Sequence, residues 1–207
     1  MELWSFRRLV LPLLGGDIMV GLVDMAAITW AAPTFERTHG VGPATVGALI
    51  ASALLLSGLV GPAAGGVIAD FCYRTGGPKR VLTVLSGLML LSAAAGSFAI
   101  APSVGAATYL LGAFITVGNT IGAMTTTLGI NLVPNELRGM LMSSSIALSA
   151  PISLGLAPLT VSLLSGALGG EGSIGRALAL VCVSVSVVGA AVFALTKRFV
   201  PTVSAQP

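Results

Sequence analysis

The chain has 207 residues, 55% of them hydrophobic and 8% charged, with a formal net charge of +3 and a mean hydropathy of +1.00. A soluble domain carries roughly 25% charged residues, so this composition argues against any soluble fold. The basic residues sit at the ends of apolar runs rather than in a patch, which removes the case for a nucleic-acid partner.

Apolar stretches of 18 or more residues recur along the chain, and each is long enough to cross a bilayer as a helix. The reading is an all-α polytopic membrane protein with six spans, over about residues 9–32, 45–69, 81–100, 106–132, 140–164 and 174–196. Residues 1–8 read as a cytoplasmic interfacial lead-in, with Trp4 and Phe6 beside Arg7 and Arg8. The apolar run behind them is too long for a signal peptide and lacks a clear small-residue cleavage site.

The first span holds Asp17 and Asp24, seven residues apart and therefore on one helix face, about 10 Å apart along the axis. A carboxylate in the bilayer core costs on the order of 2.5–3.5 kcal/mol on insertion scales. One reading is a face that lines a water-filled cavity and binds a proton, a cation or a polar substrate. The other is a carboxyl hydrogen-bonded to a neighbouring helix. Trp30 reads as an interface anchor, and His39, the only histidine, as a solvated residue of the first outer loop over 33–43.

The second span is punctuated by Gly58, Gly61, Gly65 and Gly66 and by Pro62. Small residues at this spacing suit close helix packing, and Pro62 is expected to kink the helix. The stretch 70–80 then reads as a cytoplasmic hairpin loop carrying Asp70, Arg74, Lys79 and Arg80. The third span has no charge or amide and reads as lipid-facing. The fourth has Asn119 near mid-membrane, Thr125-Thr126-Thr127, and the close-packing pair Gly118 and Gly122. Asn119 is either a cavity residue or an interhelical hydrogen-bonding one. A second inner loop, 134–139, carries Glu136 and Arg138; the fifth span contains Pro151 and Pro158 and is expected to bend. The sixth is bland and leads into a cytoplasmic tail, 197–207.

With both termini inside, Arg7, Arg8, Arg74, Lys79, Arg80, Arg138, Lys197 and Arg198 are cytoplasmic, and only Arg37 and Arg176 lie outside. This positive-inside bias gives a multi-pass protein of the cell (plasma or inner) membrane. Cys72 and Cys182 fall at different depths, so neither a disulfide nor a metal site is expected, and no cofactor is. The spans read as polar, kinked, smooth, and again polar, kinked, smooth. Three spans per unit is an odd number, so the second unit is inverted relative to the first, the layout of an inverted 3+3 repeat with a binding site near the midplane.

Gly66-Val-Ile-Ala-Asp70, followed by Arg74, Gly76, Gly77, Lys79 and Arg80, resembles the cytoplasmic loop signature of the major facilitator superfamily, with Phe71 where the strong form has a basic residue. Pro134-Asn-Glu-Leu-Arg138-Gly139 resembles the basic loop before the family's bent fifth helix. The fourth span lacks a membrane-embedded arginine, which is similar to a second half of these twelve-span transporters. The segment from Trp30 to Gly40 is similar to the start of a second half in the spinster-like and sugar-phosphate branches.

The resemblance implies a secondary active transporter of a small solute working by alternating access, not an enzyme. It implies coupling to an ion or proton, with Asp17, Asp24 and Asn119 on the transport path. Gly66, Asp70, Arg74, Lys79 and Arg80 are then the gating motif, and Glu136 and Arg138 belong to the second loop. The expected partners are a small-molecule substrate and a second six-helix half, from the same longer chain, a homodimer or a separate chain. The alternative is a channel-like or non-transporting membrane subunit.

Overall fold

The computed structural model describes residues 7–200, so most of the lead-in and the tail from 201 lie outside the described residues. Five helices are long and apolar enough to cross a membrane: α1 (Arg7–His39), α2 (Pro43–Ala95), α3 (Val104–Leu132), α4 (Asn135–Ala167) and α5 (Ile174–Thr196). A 3-10 segment, Gly96–Ile100, follows α2 and a short one, Glu171–Ser173, precedes α5. Among the described residues there is no strand.

Where six spans were expected, the structure has five long helices, because the expected second span and most of the third lie within α2, the last five residues of the third forming the 3-10 segment. The stretch 70–80 is not a loop. It stays helical apart from Gly77, at φ 63° and ψ −162°. A straight helix of the 53 residues of α2 would reach about 80 Å at 1.5 Å per residue, against a hydrocarbon core of roughly 30 Å. The break at Gly77 divides it, and Pro78 restarts the helix behind it, where a missing N–H costs nothing.

Close contacts give the direction of each helix. Gly61 approaches Asn119 and Gly65 approaches Ala123, so the first arm of α2 runs parallel to α3. Gly96 approaches Cys182, and Gly189 meets Met89, so the second arm runs antiparallel to α5. Gly16 meets Phe193 and Gly189 approaches Met19, which makes α5 antiparallel to α1. Gly21 approaches Ser153 and Asp17 meets Ser149, which makes α1 and α4 parallel. Gly118 lies against Asp24, and Thr125, seven residues on, shares a cavity wall with Asp17, so α3 is antiparallel to α1. The second arm therefore runs with α1 and the first arm against it, and the chain reverses at Gly77.

Two apolar clusters stack along this axis. One gathers Ala26, Phe35, Val46, Phe98, Phe114, Val161 and Leu178. The other gathers Leu13, Cys72, Leu82, Met89, Met124 and Phe193. Val46 and Ala95, near opposite ends of α2, belong to the same cluster, as the reversal requires.

Two further loops are shorter than expected. Helix α1 continues through Pro33 to His39, and α4 starts at Asn135, so Glu136 and Arg138 lie in its first turns. Proline is tolerated in such helices because neighbouring groups take up the freed backbone.

Candidate functional site

A cavity of about 290 Å³ opens between α1, α3 and α4. Its wall carries Asp17 with the hydroxyls of Thr125, Thr126, Ser145 and Ser149, and an apolar side that includes Leu13, Leu141 and Ile146. No Lys, Arg or His lines it. The Ser149 hydroxyl hydrogen-bonds to the Asp17 carboxylate. Thr125 is 8% exposed and its Oγ1 finds no hydrogen-bond partner. A buried, unpaired hydroxyl costs about 1–3 kcal/mol, so the wall holds acceptor and donor capacity that the protein itself leaves unused. Ser145, Ser149 and Ser153 recur every fourth residue, so they form one stripe on α4. Ser149 and Ser153 both meet α1.

The two acids share the face of α1 that looks onto α3, but their settings differ. Asp24 is not part of the cavity wall. Its carboxyl is wedged against Gly118, where an added Cβ would fall 2.5 Å from Oδ1 and 2.7 Å from Oδ2. Asp24 Oδ1 is buried with no hydrogen-bond partner. The close-packing glycine of α3 is thus what leaves room for a membrane carboxyl.

Asn119 is turned about 100° from Gly118 around α3. Its Cβ packs against Gly61 of α2, and a Cβ on Gly61 would lie 2.5 Å from it. Beside it, Thr120 Oγ1 donates to the carbonyl oxygens of Gly61 (3.1 Å) and Thr116 (2.8 Å). Asn119 therefore sits at the α2–α3 contact and does not join Asp17 in the cavity wall.

The charged residues of the loop signature flank the break in α2. Gly66 has nothing within 4 Å of an added Cβ. Asp70, Arg74, Lys79 and Arg80 are exposed, and among the described residues no ion pair joins Asp70 to the loop cations. The Arg80 guanidinium lies over the Phe71 ring, 5.5 Å from its centroid, a cation–π contact across the turn. Phe71, the departure from the signature, thus faces one of the motif's own cations. Glu136 is exposed in the first turn of α4, where a carboxylate suits the helix dipole. Arg138 is half-buried, and its Nε finds no partner.

His39 is not a solvated loop residue. It ends α1 with its ring 6.0 Å from Phe35 and its Nε2 buried without a partner. Trp30 and Arg37 line a smaller cavity with Ser162, Ser165 and Ile174. Cys72 and Cys182 are both free and buried, in different parts of the core, and no group of metal-ligating side chains occurs among the described residues.

No family model and no curated protein matches this sequence. Among solved structures, the chain is similar to a bacterial homologue of the human lysosomal transporter Spinster, in an inward-facing and unoccupied conformation. The likeness covers 95% of this chain and 50% of that one, with a TM-score of 0.69 and 17% sequence identity. The protein is thus a multi-pass helical membrane protein whose fold is like that of half of that solved transporter, and it spans half the length of that chain.

Proposed function

We propose that this chain is one half of a secondary active transporter that moves a small solute by alternating access. The observation that carries the reading is the cavity between α1, α3 and α4, with an acid on its wall, inside a fold like half of a transporter. Six crossings arranged as an inverted 3+3 repeat follow if the two arms of α2 count as separate spans. The parallel packing of α1 on α4, matched by that of the first arm of α2 on α3, supports this. Both termini are then cytoplasmic, in the cell membrane, and a second six-helix half completes the site. Leu55, Leu59 and Val67 on α2, and Ile146, Leu154 and Leu163 on α4, are all more than 60% exposed and are available to that half or to lipid.

Asp17 is the transport-path acid in this reading, with Asp24 as a second protonatable group, and one or both couple transport to a proton. Asn119 serves the packing beside the path. Asp70, with Arg74, Lys79 and Arg80, latches one conformation through contacts made in another state of the cycle. The test is flux in liposomes holding the purified protein, screened over small solutes with a pH-sensitive dye inside. A transporter gives saturable, solute-dependent proton movement that Asp17→Asn or Asp24→Asn abolishes. Unsaturable flux means a channel, and no flux from a preparation that includes the completing second half means a scaffold. Uptake still fully driven by a pH gradient in both variants refutes the coupling role.

A further inference from the structure

We infer that the cavity between α1, α3 and α4 binds a small amphipathic cation, an alkylammonium group with a short apolar body. The inference rests on that cavity being the transport path.

The charge of the wall sets the class. Among the described residues Asp17 is the one ionisable side chain of the wall; Arg138, half-buried on α4 one turn before Leu141, is not part of it. A half-buried carboxylate with no cation beside it attracts a countercharge. An ammonium ligand supplies the missing countercharge, whereas a carboxylate, phosphate or sulfonate ligand meets like charge with nothing to offset it. The geometry of the donors agrees. An ammonium carries up to three N–H donors and no acceptor, and here the wall offers the Asp17 oxygens and the hydroxyl oxygens of Thr125, Thr126, Ser145 and Ser149.

The state of those hydroxyls is an independent observation. The Ser149 hydroxyl faces the Asp17 carboxylate. Thr125 is more than nine-tenths buried, lines the cavity, and has an Oγ1 with no partner. Its unpaired Oγ1 is an acceptor that a turn of the Thr125 side chain brings to an N–H of a ligand already drawn to Asp17. The remaining wall is aliphatic, from Leu13, Leu14, Leu141, Met142 and Ile146, and suits an alkyl body rather than a sugar or a second charge. Asp24 takes no part, since Gly118 closes the space around its carboxyl.

The test is equilibrium binding of radiolabelled n-butylammonium to the full chain in lipid nanodiscs, with empty nanodiscs as blank. Saturable binding is expected, with n-butyrate failing to compete and n-butanol competing at least tenfold more weakly than the amine. Asp17→Asn, a near-isosteric neutral change, is expected to raise Kd by tenfold or more. Thr125→Val, which keeps the shape and removes one acceptor, is expected to raise it about threefold to tenfold, as one hydrogen bond implies. Helical content and size-exclusion profile show that each variant is folded, and Thr125→Val carries the test if Asp17→Asn is not. Absence of saturable binding, competition by n-butyrate equal to that by the amine, or an unchanged Kd in a folded variant overturns the proposal. Saturable amine binding with no flux of any solute from the assembly completed by its second half keeps the cation site and removes the transporter reading. Flux of an anionic or neutral solute without amine binding does the reverse.

Discussion

At the scale of single residues, glycines decide where polar groups fit. Asp24 occupies the space that a side chain at position 118 would fill. Gly118→Ala is therefore expected to destabilise the protein by about 1–3 kcal/mol, the usual cost of overpacking, read as a lower thermal midpoint in detergent. Asp24→Ala in the same chain is expected to restore most of that loss, because the two side chains compete for one volume. Additive losses would show that the contact is not the cause. Gly66 belongs to the loop signature, yet an added Cβ meets nothing there. Gly66→Ala is expected to leave the thermal midpoint within about 0.5 kcal/mol of the parent, as at other open sites. The sequence marked Asp17 and Asp24 as unusual because charge in an apolar span is conspicuous. It did not separate the acid on a cavity from the acid sealed behind a glycine, since that depends on which helix lies opposite. The Ser145, Ser149 and Ser153 stripe was legible in principle from its spacing of four. Serines that bond back to their own helix give the same pattern, so the stripe alone is ambiguous.

At the scale of helices, long apolar runs were readable from composition, and their ends less so. The stretch 70–80 holds Asp70, three cations, two glycines and Pro78, a composition that reads as a loop. The chain keeps helical geometry there and concentrates the reversal in Gly77, the one residue of α2 in the left-handed region. A side chain at its φ and ψ costs roughly 1–3 kcal/mol. Gly77→Ala is expected to lower the thermal midpoint by a matching amount, whereas Gly66→Ala, where an added Cβ meets nothing, is not. Equal effects at both positions would contradict a reversal confined to Gly77. Asp70 is exposed and pairs with no cation among the described residues, so Asp70→Asn is not expected to change stability. In the proposed cycle it slows turnover more than it weakens solute binding, and lost binding at unchanged turnover would count against a latch there. Helix α1 ran past Pro33 to His39, because a proline in a membrane helix is a weaker stop signal than in a soluble one.

At the scale of the whole molecule, helix directions came from pairs of close contacts that no single run of sequence contains. The parallel packing of α1 on α4, and of the first arm of α2 on α3, depends on Gly21, Gly61 and Gly65. Gly61 and Gly65 were visible as small, but not with their partners, and Gly21 carried no signal of its own. The alternation of polar, kinked and smooth spans did carry the repeat as an idea, and the chain reversal at Gly77 makes it geometrically available. The central claim is that Asp17 lies on a path open to water in a transporter half. Labelling an Asp17→Cys variant in oriented membrane vesicles tests this directly, since Cys72 and Cys182 are buried and give a low background. A membrane-impermeant thiol reagent is expected to modify position 17 from the cytoplasmic face and to leave a Gly122→Cys variant, outside the cavity wall, at its own separate rate. Absence of reaction at position 17 from either face of the membrane would contradict the account.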